Sequence, residues 1–392
     1  MGHHIGSKNS IVPLIDRLNK YPVGLVDSEK LREILALLFD EREALIASRF
    51  PLEEATLQEL AGRTKIAEEE LRPILEGMAE KGLVMDMPYA GVTYYLLLPG
   101  LIGFFEFTFM KRRTDLPMAR IARLMQDYMH ENPREGMARE FFGSQTPLTR
   151  TLVYEDKIPV TSEITTYESA REIIRQADYG AVGICYCRHK KEHMGESCRK
   201  EAPMEGTCIS LGAAAKFMVR RGFAERKSSE ELLAVLDRAR DLRLTHVTDN
   251  IRHKPSFICN CCSCCCELMA GVRTGYPEGI AKTPFLAAID GEKCNGCGLC
   301  FAACNVGAIG LAGNGEGERS GAVADSLCLG CGACVPVCRR DALILKERTA
   351  RKSPPENRKV LFKEILREKG RLTPYVLHQV KKRVRDVLGG KR

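Results

Sequence analysis

Along the N-terminal third, apolar positions recur with a helical period and then switch to a strand period. Behind Ser28, an N-cap followed by Glu29, the residues Leu31, Ile34, Leu35, Leu38, Leu45 and Ile46 fall at helical spacing. A short second helix is expected over residues 56–61 and a turn over 62–66. A third helix over 67–81 carries Leu71, Ile74, Leu75 and Met78 on one face and stops at Gly82. Residues 83–87 and 92–98 read as two strands joined through 88–91. The apolar run 96–110 is interrupted by Pro99 and Glu106. A membrane span needs about 20 mostly apolar residues, so this run reads as a core helix or an interface segment.

Beyond a polar connection, residues 151–160 read as extended and 167–177 as helical. The short apolar run 181–184 reads as a buried strand ending at Cys185. Helices follow over 211–220 and, capped by Ser228 or Ser229, over 230–241. A second apolar pair, Phe257 and Ile258, leads into a cysteine-rich stretch. After Ser353, Pro354 and Pro355, two amphipathic segments are expected over 360–368 and 375–388, the first with Val360, Leu361, Ile365 and Leu366 on one side. Three helices and a hairpin in the order found at the start of the chain resemble a winged helix-turn-helix domain.

Composition changes the picture through its 18 cysteines and absence of Trp in 392 residues. Eight of the cysteines form two runs of the same spacing: Cys294, Cys297, Cys300, Cys304 and, after a Gly-rich spacer, Cys328, Cys331, Cys334, Cys338. Such a loop wraps three thiolates around one face of an iron–sulfur cube and sends the fourth elsewhere. Small residues between the cysteines, Gly296, Gly298, Gly330 and Gly332, allow the tight turns this needs. The segment resembles the bacterial two-cluster ferredoxin module. That resemblance implies one [4Fe-4S] cluster on Cys294, Cys297, Cys300 and Cys338, and another on Cys328, Cys331, Cys334 and Cys304. It departs from the family where Pro usually follows the fourth cysteine, with Asn305 and Arg339 there instead. Arg339 and Arg340 either stabilise the reduced state of the nearer cluster or are plain solvated surface.

Ten further cysteines precede this module: Cys185, Cys187, Cys198, Cys208, Cys259, Cys261, Cys262, Cys264, Cys265 and Cys266. Both dense groups follow expected strand ends, so they meet if the strands are neighbours. Close thiolates repel unless a metal neutralises them. Three readings stand: one or two further iron–sulfur centres, zinc, or redox-active or structural thiols. Zinc wants four tetrahedral ligands, which ten cysteines exceed; iron–sulfur centres tolerate irregular spacing. Crowded cysteine pairs are weakly similar to the cysteine-rich segments of heterodisulfide reductase subunits. The whole arrangement, with Cys185-Tyr-Cys187-Arg188 and Ile258-Cys-Asn-Cys-Cys262 ahead of a ferredoxin module, resembles the 4Fe-4S dicluster-domain ferredoxin-type proteins of anaerobes. Arg188 is placed to donate to sulfur or to an anionic substrate. His189 and His193 lie four apart and would share a face if helical, although a solvated role among Lys190, Lys191 and Glu192 is the plainer reading. His246 and His253 are expected in hydrogen-bonding or surface roles, and His3 and His4 in none.

Net charge is +8 but unevenly placed: about −6 over residues 1–110 and about +12 from Arg339 onward. The helix that would enter a DNA groove carries Glu68, Glu69, Glu70, Glu76 and Glu80 against Arg72 and Lys81, which argues against DNA as a partner. The basic end suits either a docked helix with solvated Lys and Arg or a steering patch for an acidic redox partner. No nucleophile–base arrangement, phosphate loop or dinucleotide fingerprint is present. No signal segment is recognisable, and free thiolates require a reducing compartment, so a cytoplasmic, oxygen-poor setting is expected.

The sequence therefore predicts a multidomain α+β protein. Residues 1–110 form the winged-helix-like domain, 111–160 a helical and extended connection, and 161–282 a cysteine-rich α+β domain. Residues 283–347 form a ferredoxin domain with two [4Fe-4S] clusters, and 348–392 a basic helical tail. The expected function is electron transfer through the two [4Fe-4S] clusters to or from a partner oxidoreductase; a third iron–sulfur centre, where the middle cysteines hold one, would be either an extension of the path or its terminus. The alternatives are an oxidoreductase subunit whose own catalytic centre lies in that domain, and a redox-sensing regulator.

Overall fold

The computed structural model describes residues 7–158, 167–313, 319–350, 352–373 and 375. It begins with α1 (Ser7–Leu18), a helix the sequence pattern did not reveal. The helical period behind Ser28 is divided into α2 (Glu29–Leu38) and α3 (Glu41–Ser48). The division falls at Asp40, whose carboxylate accepts from the Glu43 N–H while Glu43 accepts from the Asp40 N–H. This reciprocal capping starts a new helix where periodicity alone predicts continuation. A short strand, β1 (Ala55–Thr56), precedes α4 (Leu57–Thr64) and α5 (Glu68–Glu80). The hairpin of β2 (Val84–Tyr89) and β3 (Val92–Leu97) then completes a three-stranded antiparallel sheet in the order β1-β3-β2.

The apolar run 96–110 is not one helix. It breaks into the end of β3, an irregular turn over Gly100–Phe104 with Ile102 at φ 49°, and α6 (Phe105–Phe109). Glu106, the charge that interrupts the run, accepts from the Gly103 N–H at 2.8 Å and so serves the break. Helices α7 (Met118–His130) and α8 (Gly136–Phe142) extend the same apolar core.

The middle of the chain is built on a six-stranded antiparallel sheet. Its order is β4 (Thr149–Thr151), β8 (Thr245–Asp249), β9 (Phe257–Cys261), β6 (Cys208–Leu211), β5 (Gly180–Gly183) and β7 (Ala224–Lys227). Helices α9 (Ala170–Gln176), α10 (Tyr186–His193), α11 (Gly212–Arg220), α12 (Ser229–Asp241) and α13 (Glu267–Arg273) connect the strands. Ser228, not Ser229, caps α12, in a capping box with Glu231. The stretch expected to be extended from 151 yields only the end of β4, an isolated bridge from Val153 to Ser169 and a 3-10 turn over Glu155–Lys157. Residues 159 and 160 lie outside the described residues.

The eight-cysteine segment is closed by β10 (Phe285–Ile289) pairing with β13 (Leu343–Glu347), and carries α14 (Leu299–Ala303) and the hairpin β11 (Ile309–Gly313) with β12 (Arg319–Val323). Gly330 sits at φ +70°, and a side chain there would collide with the Phe285 carbonyl and the Thr283 hydroxyl. Glycine is therefore required on both counts. One continuous apolar core joins this segment to the sheet, with Phe285, Leu329 and Leu345 packed in the same cluster as Val247 and Cys261.

The basic tail supplies α15 (Arg358–Glu368), capped by Asn357 and buried through Leu361, Ile365 and Leu366. The helix expected over 375–388 lies outside the described residues apart from Tyr375. Among the described residues no helix is long and apolar enough to cross a membrane.

Candidate metal centres

Strand direction gathers the thiols of the middle domain. In an antiparallel order, β5 and β9 run the same way with β6 returning between them. The end of β5, the start of β6 and the end of β9 thus share one edge of the sheet. Cys185 and Cys187 follow β5, Cys208 opens β6, and Cys259–Cys266 close β9. The two expected strands are not direct neighbours, but their separation by one strand brings a third cysteine-bearing end between them. All 18 cysteines are free of disulfides.

The ten thiols divide. Cys198, Cys262, Cys264 and Cys265 bring their sulfurs within 4.8 Å of one another. Cys198 stands 3.6 Å from Cys262 and 3.7 Å from Cys264, and Cys265 lies 3.7 Å from Cys264. A metal–sulfur bond of about 2.3 Å sets tetrahedral thiolates about 3.8 Å apart. The four thus fit a single tetrahedral ion, whereas a cubane spreads its thiolates over four separate irons. The neighbouring thiols of Cys262 and Cys265 pull the Cys198 pKa down, and Cys262 is pushed up to about 11 by its contact with Cys198. Crowded thiols oppose one another's ionisation in this way until a cation lets them ionise together.

The other six lie in a second chain of contacts. Each thiol shifts the titration of the next in the order Cys208, Cys259, Cys261, Cys266, Cys187 and Cys185, so the six lie as a string of neighbours. Between the groups lies Arg188, only 5% exposed, donating to Thr207 Oγ1 at 2.9 Å and to the Asn260 carbonyl at 2.9 Å. Its Nε has no hydrogen-bond partner among the described residues. Burial works against its charge, and the thiols of Cys185, Cys262 and Cys198 more than restore it.

In the eight-cysteine segment, Cys294, Cys297, Cys300 and Cys338 line one hollow of about 230 Å³ together with Leu299, Leu311, Arg339 and Arg340. Cys297 is the exposed member. Cys328, Cys331 and Cys334 lie in one another's field with Cys304, deeper in the molecule, and burial pushes Cys331 up to about 11. Backbone N–H groups reach sulfur at Cys294, from Gly321 at 3.4 Å, and at Cys304, from Ala308 at 3.2 Å. The Thr245 hydroxyl reaches Cys331 at 3.6 Å.

Asn305, which stands where a proline was expected, has a role the sequence did not disclose. Its amide donates to the Arg243 carbonyl at 2.8 Å and the Thr245 hydroxyl at 2.9 Å, and accepts from the Ser263 N–H at 3.1 Å. A proline could make none of these bonds, so this position fastens the segment to the sheet edge. Lys200 bridges the same seam, donating to the carbonyls of Arg243 and Ala303 in the field of Cys331, Cys262 and Cys304.

The histidines face elsewhere. His189 and His193 do share a helix, α10, but His189 is buried with Nδ1 on the Phe109 carbonyl at 2.7 Å, and His193 lies beside it. The solvated reading of this stretch is corrected by Lys190, 2% exposed, whose ammonium pairs with the buried carboxylate of Glu267. Glu267 also pairs with His130. Burial opposes its charge, yet Lys190 and His130 together hold it down to about 2. His246 is buried against Asn260 Oδ1 at 2.6 Å, and His253 is exposed.

Against known proteins, residues 293–342 match the family model of the 4Fe-4S dicluster domain. This segment is a 4Fe-4S ferredoxin-type module, and the chain carries iron–sulfur chemistry. No curated protein and no solved structure matches the chain.

Proposed function

We propose that the protein transfers single electrons between a redox partner and a further metal–thiolate centre, by way of two [4Fe-4S] clusters. The carrying observation is the pair of four-cysteine runs within the dicluster segment. One cluster would be held by Cys294, Cys297, Cys300 and Cys338, the other by Cys304, Cys328, Cys331 and Cys334. Bound clusters supply one-electron acceptance and release. The residues around them set where electrons enter and leave. Exposed Leu299 and Leu311 line the first site together with exposed Arg339 and Arg340. An apolar centre with a basic rim suits a partner whose docking face is acidic.

From the second site the path leads across Lys200 and Asn305 to Cys198, Cys262, Cys264 and Cys265. The close sulfurs there favour one tetrahedral ion over a cubane, so the third centre is read as a mononuclear thiolate site, iron if it carries electrons. The N-terminal part is read as a winged-helix-like docking domain, not a DNA reader. Its helix α5 presents exposed Glu69, Glu70, Glu76 and Glu80, and its last turn is held to the middle domain through Arg221 and Glu80 at 3.0 Å. A reducing, cytoplasmic setting belongs to this reading because every thiolate must stay free.

The test is iron, acid-labile sulfide and zinc per chain on anaerobically purified protein, with EPR and Mössbauer spectra on the same sample. About eight irons from the module, halved by Cys294→Ala or by Cys328→Ala, support the reading. Zinc at the four-thiol site would end the path at the second cluster. Substrate turnover by the isolated chain with a reduced dye would replace a carrier with an oxidoreductase.

A further inference from the structure

We propose that Cys185, Cys187, Cys208, Cys259, Cys261 and Cys266 form a separate polynuclear iron centre beside the four-thiol site. This rests on the electron-transfer reading for the choice of iron, but on geometry for the site.

Each strand end contributes. Cys208 and Cys259 lie opposite each other, because the pairing Ile209 with Ile258 and Ser210 with Phe257 continues to them in register. Cys259 and Cys261, two apart on β9, share a face of the sheet, with Asn260 turned the other way to accept from His246 and donate to the Thr207 carbonyl. Cys185 and Cys266 stand at the residues that open α10 and α13, and Cys187 closes the chain of contacts between them. Six thiols exceed the four that one tetrahedral ion takes. Thiolates bridging several metals account for a string of six in which each thiol neighbours the next.

The sorting of the adjacent pairs separates this centre from its neighbour. Of Cys261-Cys262, the first faces the six-thiol group and the second the four-thiol group; of Cys265-Cys266, the order is reversed. Cys261-Cys262 and Cys265-Cys266 are each split between the two groups, whereas Cys264 and Cys265 both turn to the four-thiol site. The two groups are joined through the peptide units Cys261-Cys262 and Cys265-Cys266, and the charge of Arg188 is felt by Cys185 of one and by Cys198 and Cys262 of the other. Arg188 has a buried nitrogen with no partner among the described residues, as expected of a group aimed at sulfur.

The experiment uses full-length chain, reconstituted anaerobically with iron and sulfide. Wild type is compared with a Cys187→Ser/Cys208→Ser double variant and with Cys198→Ser. Expected is iron beyond the module's about eight, with more than one iron per chain lost in the double variant and a different portion lost in Cys198→Ser. The EPR signals of the dicluster module should persist in both. Iron unchanged in the double variant, zinc in place of the lost iron, or a Cys208–Cys259 disulfide would overturn the inference. Loss of the module's own iron in wild type would instead overturn the electron-transfer reading. Because the double variant could misfold, wild type is also alkylated anaerobically. Cys185, Cys208 and Cys259, all partly accessible, should resist until a chelator strips iron; labelling with iron retained would overturn the centre.

Discussion

Lys190 shows how a single side chain differs from its local sequence. Within a run of charges it reads as surface, yet it is buried against Glu267, and Glu267 in turn against His130 of α7. Nothing within a few residues of Lys190 marks this, because its partner is 77 positions away. Removing one member of a buried pair leaves an uncompensated charge, costing about 3–5 kcal/mol. Lys190→Met should therefore lower the anaerobic thermal midpoint sharply, whereas Lys191→Met, whose partner Glu196 is exposed, should hardly move it. Asn305 differs in kind: its bonds are neutral and join two regions. Losing them costs roughly 1–3 kcal/mol where donors are left buried. Asn305→Ala should keep its module iron while hydrogen exchange at Ser263 and Thr245 accelerates.

At the level of elements, the most legible were those whose burial alternates with water. Helix α5 and the hairpin of β2 and β3 lie within a residue or two of their expected bounds. The strands β5 and β9 were legible as short apolar runs. Strand β8 was not, because Thr245, His246, Thr248 and Asp249 are polar although every residue of the strand is buried. Their side chains spend their polarity on partners such as Phe257 and Ser256, so the usual apolar signature is missing. The same holds for the candidate sites. Spacing disclosed the two four-cysteine runs, but the division of the ten other cysteines depends on strand order, which no local pattern encodes.

Helix α15 offers a pH test. Lys369 and Arg371, just after it, grip Glu140 of α8 at 2.8 and 2.7 Å. Burial raises the Glu140 pKa, but the two cations and the Gly24 N–H outweigh it and leave it lowered. A lowered carboxylate contributes its stability in full above the ordinary value near 4.5 and loses it as pH falls through the folded value. Limited proteolysis after residue 350 should thus be slow at neutral pH and quicken in acid. Glu140→Gln should show the fast cleavage already at neutral pH.

For the whole molecule, the charge asymmetry becomes spatial. Acidic side chains occupy α5, while Arg339 and Arg340 border the hollow at the exposed Cys297. Steering by such a patch raises association rates by about 10- to 1,000-fold at low salt. Arg339→Glu with Arg340→Glu should slow reduction or oxidation by an acidic redox protein by at least about tenfold, with iron content unchanged and the difference vanishing at high salt. Duplex DNA should not be retarded at physiological salt.

The sheet order also governs how the molecule is made. Cys185 is synthesised long before Cys266 and Cys331, and β9 must slot between β8 and β6 before their ends meet. At roughly 5–20 residues per second, the first thiols wait on the order of ten seconds for the last, with no enclosed site to receive metal. Any metal bound by these thiols would therefore enter late in synthesis, and oxygen reaching the half-finished chain would be expected to trap it as a disulfide first.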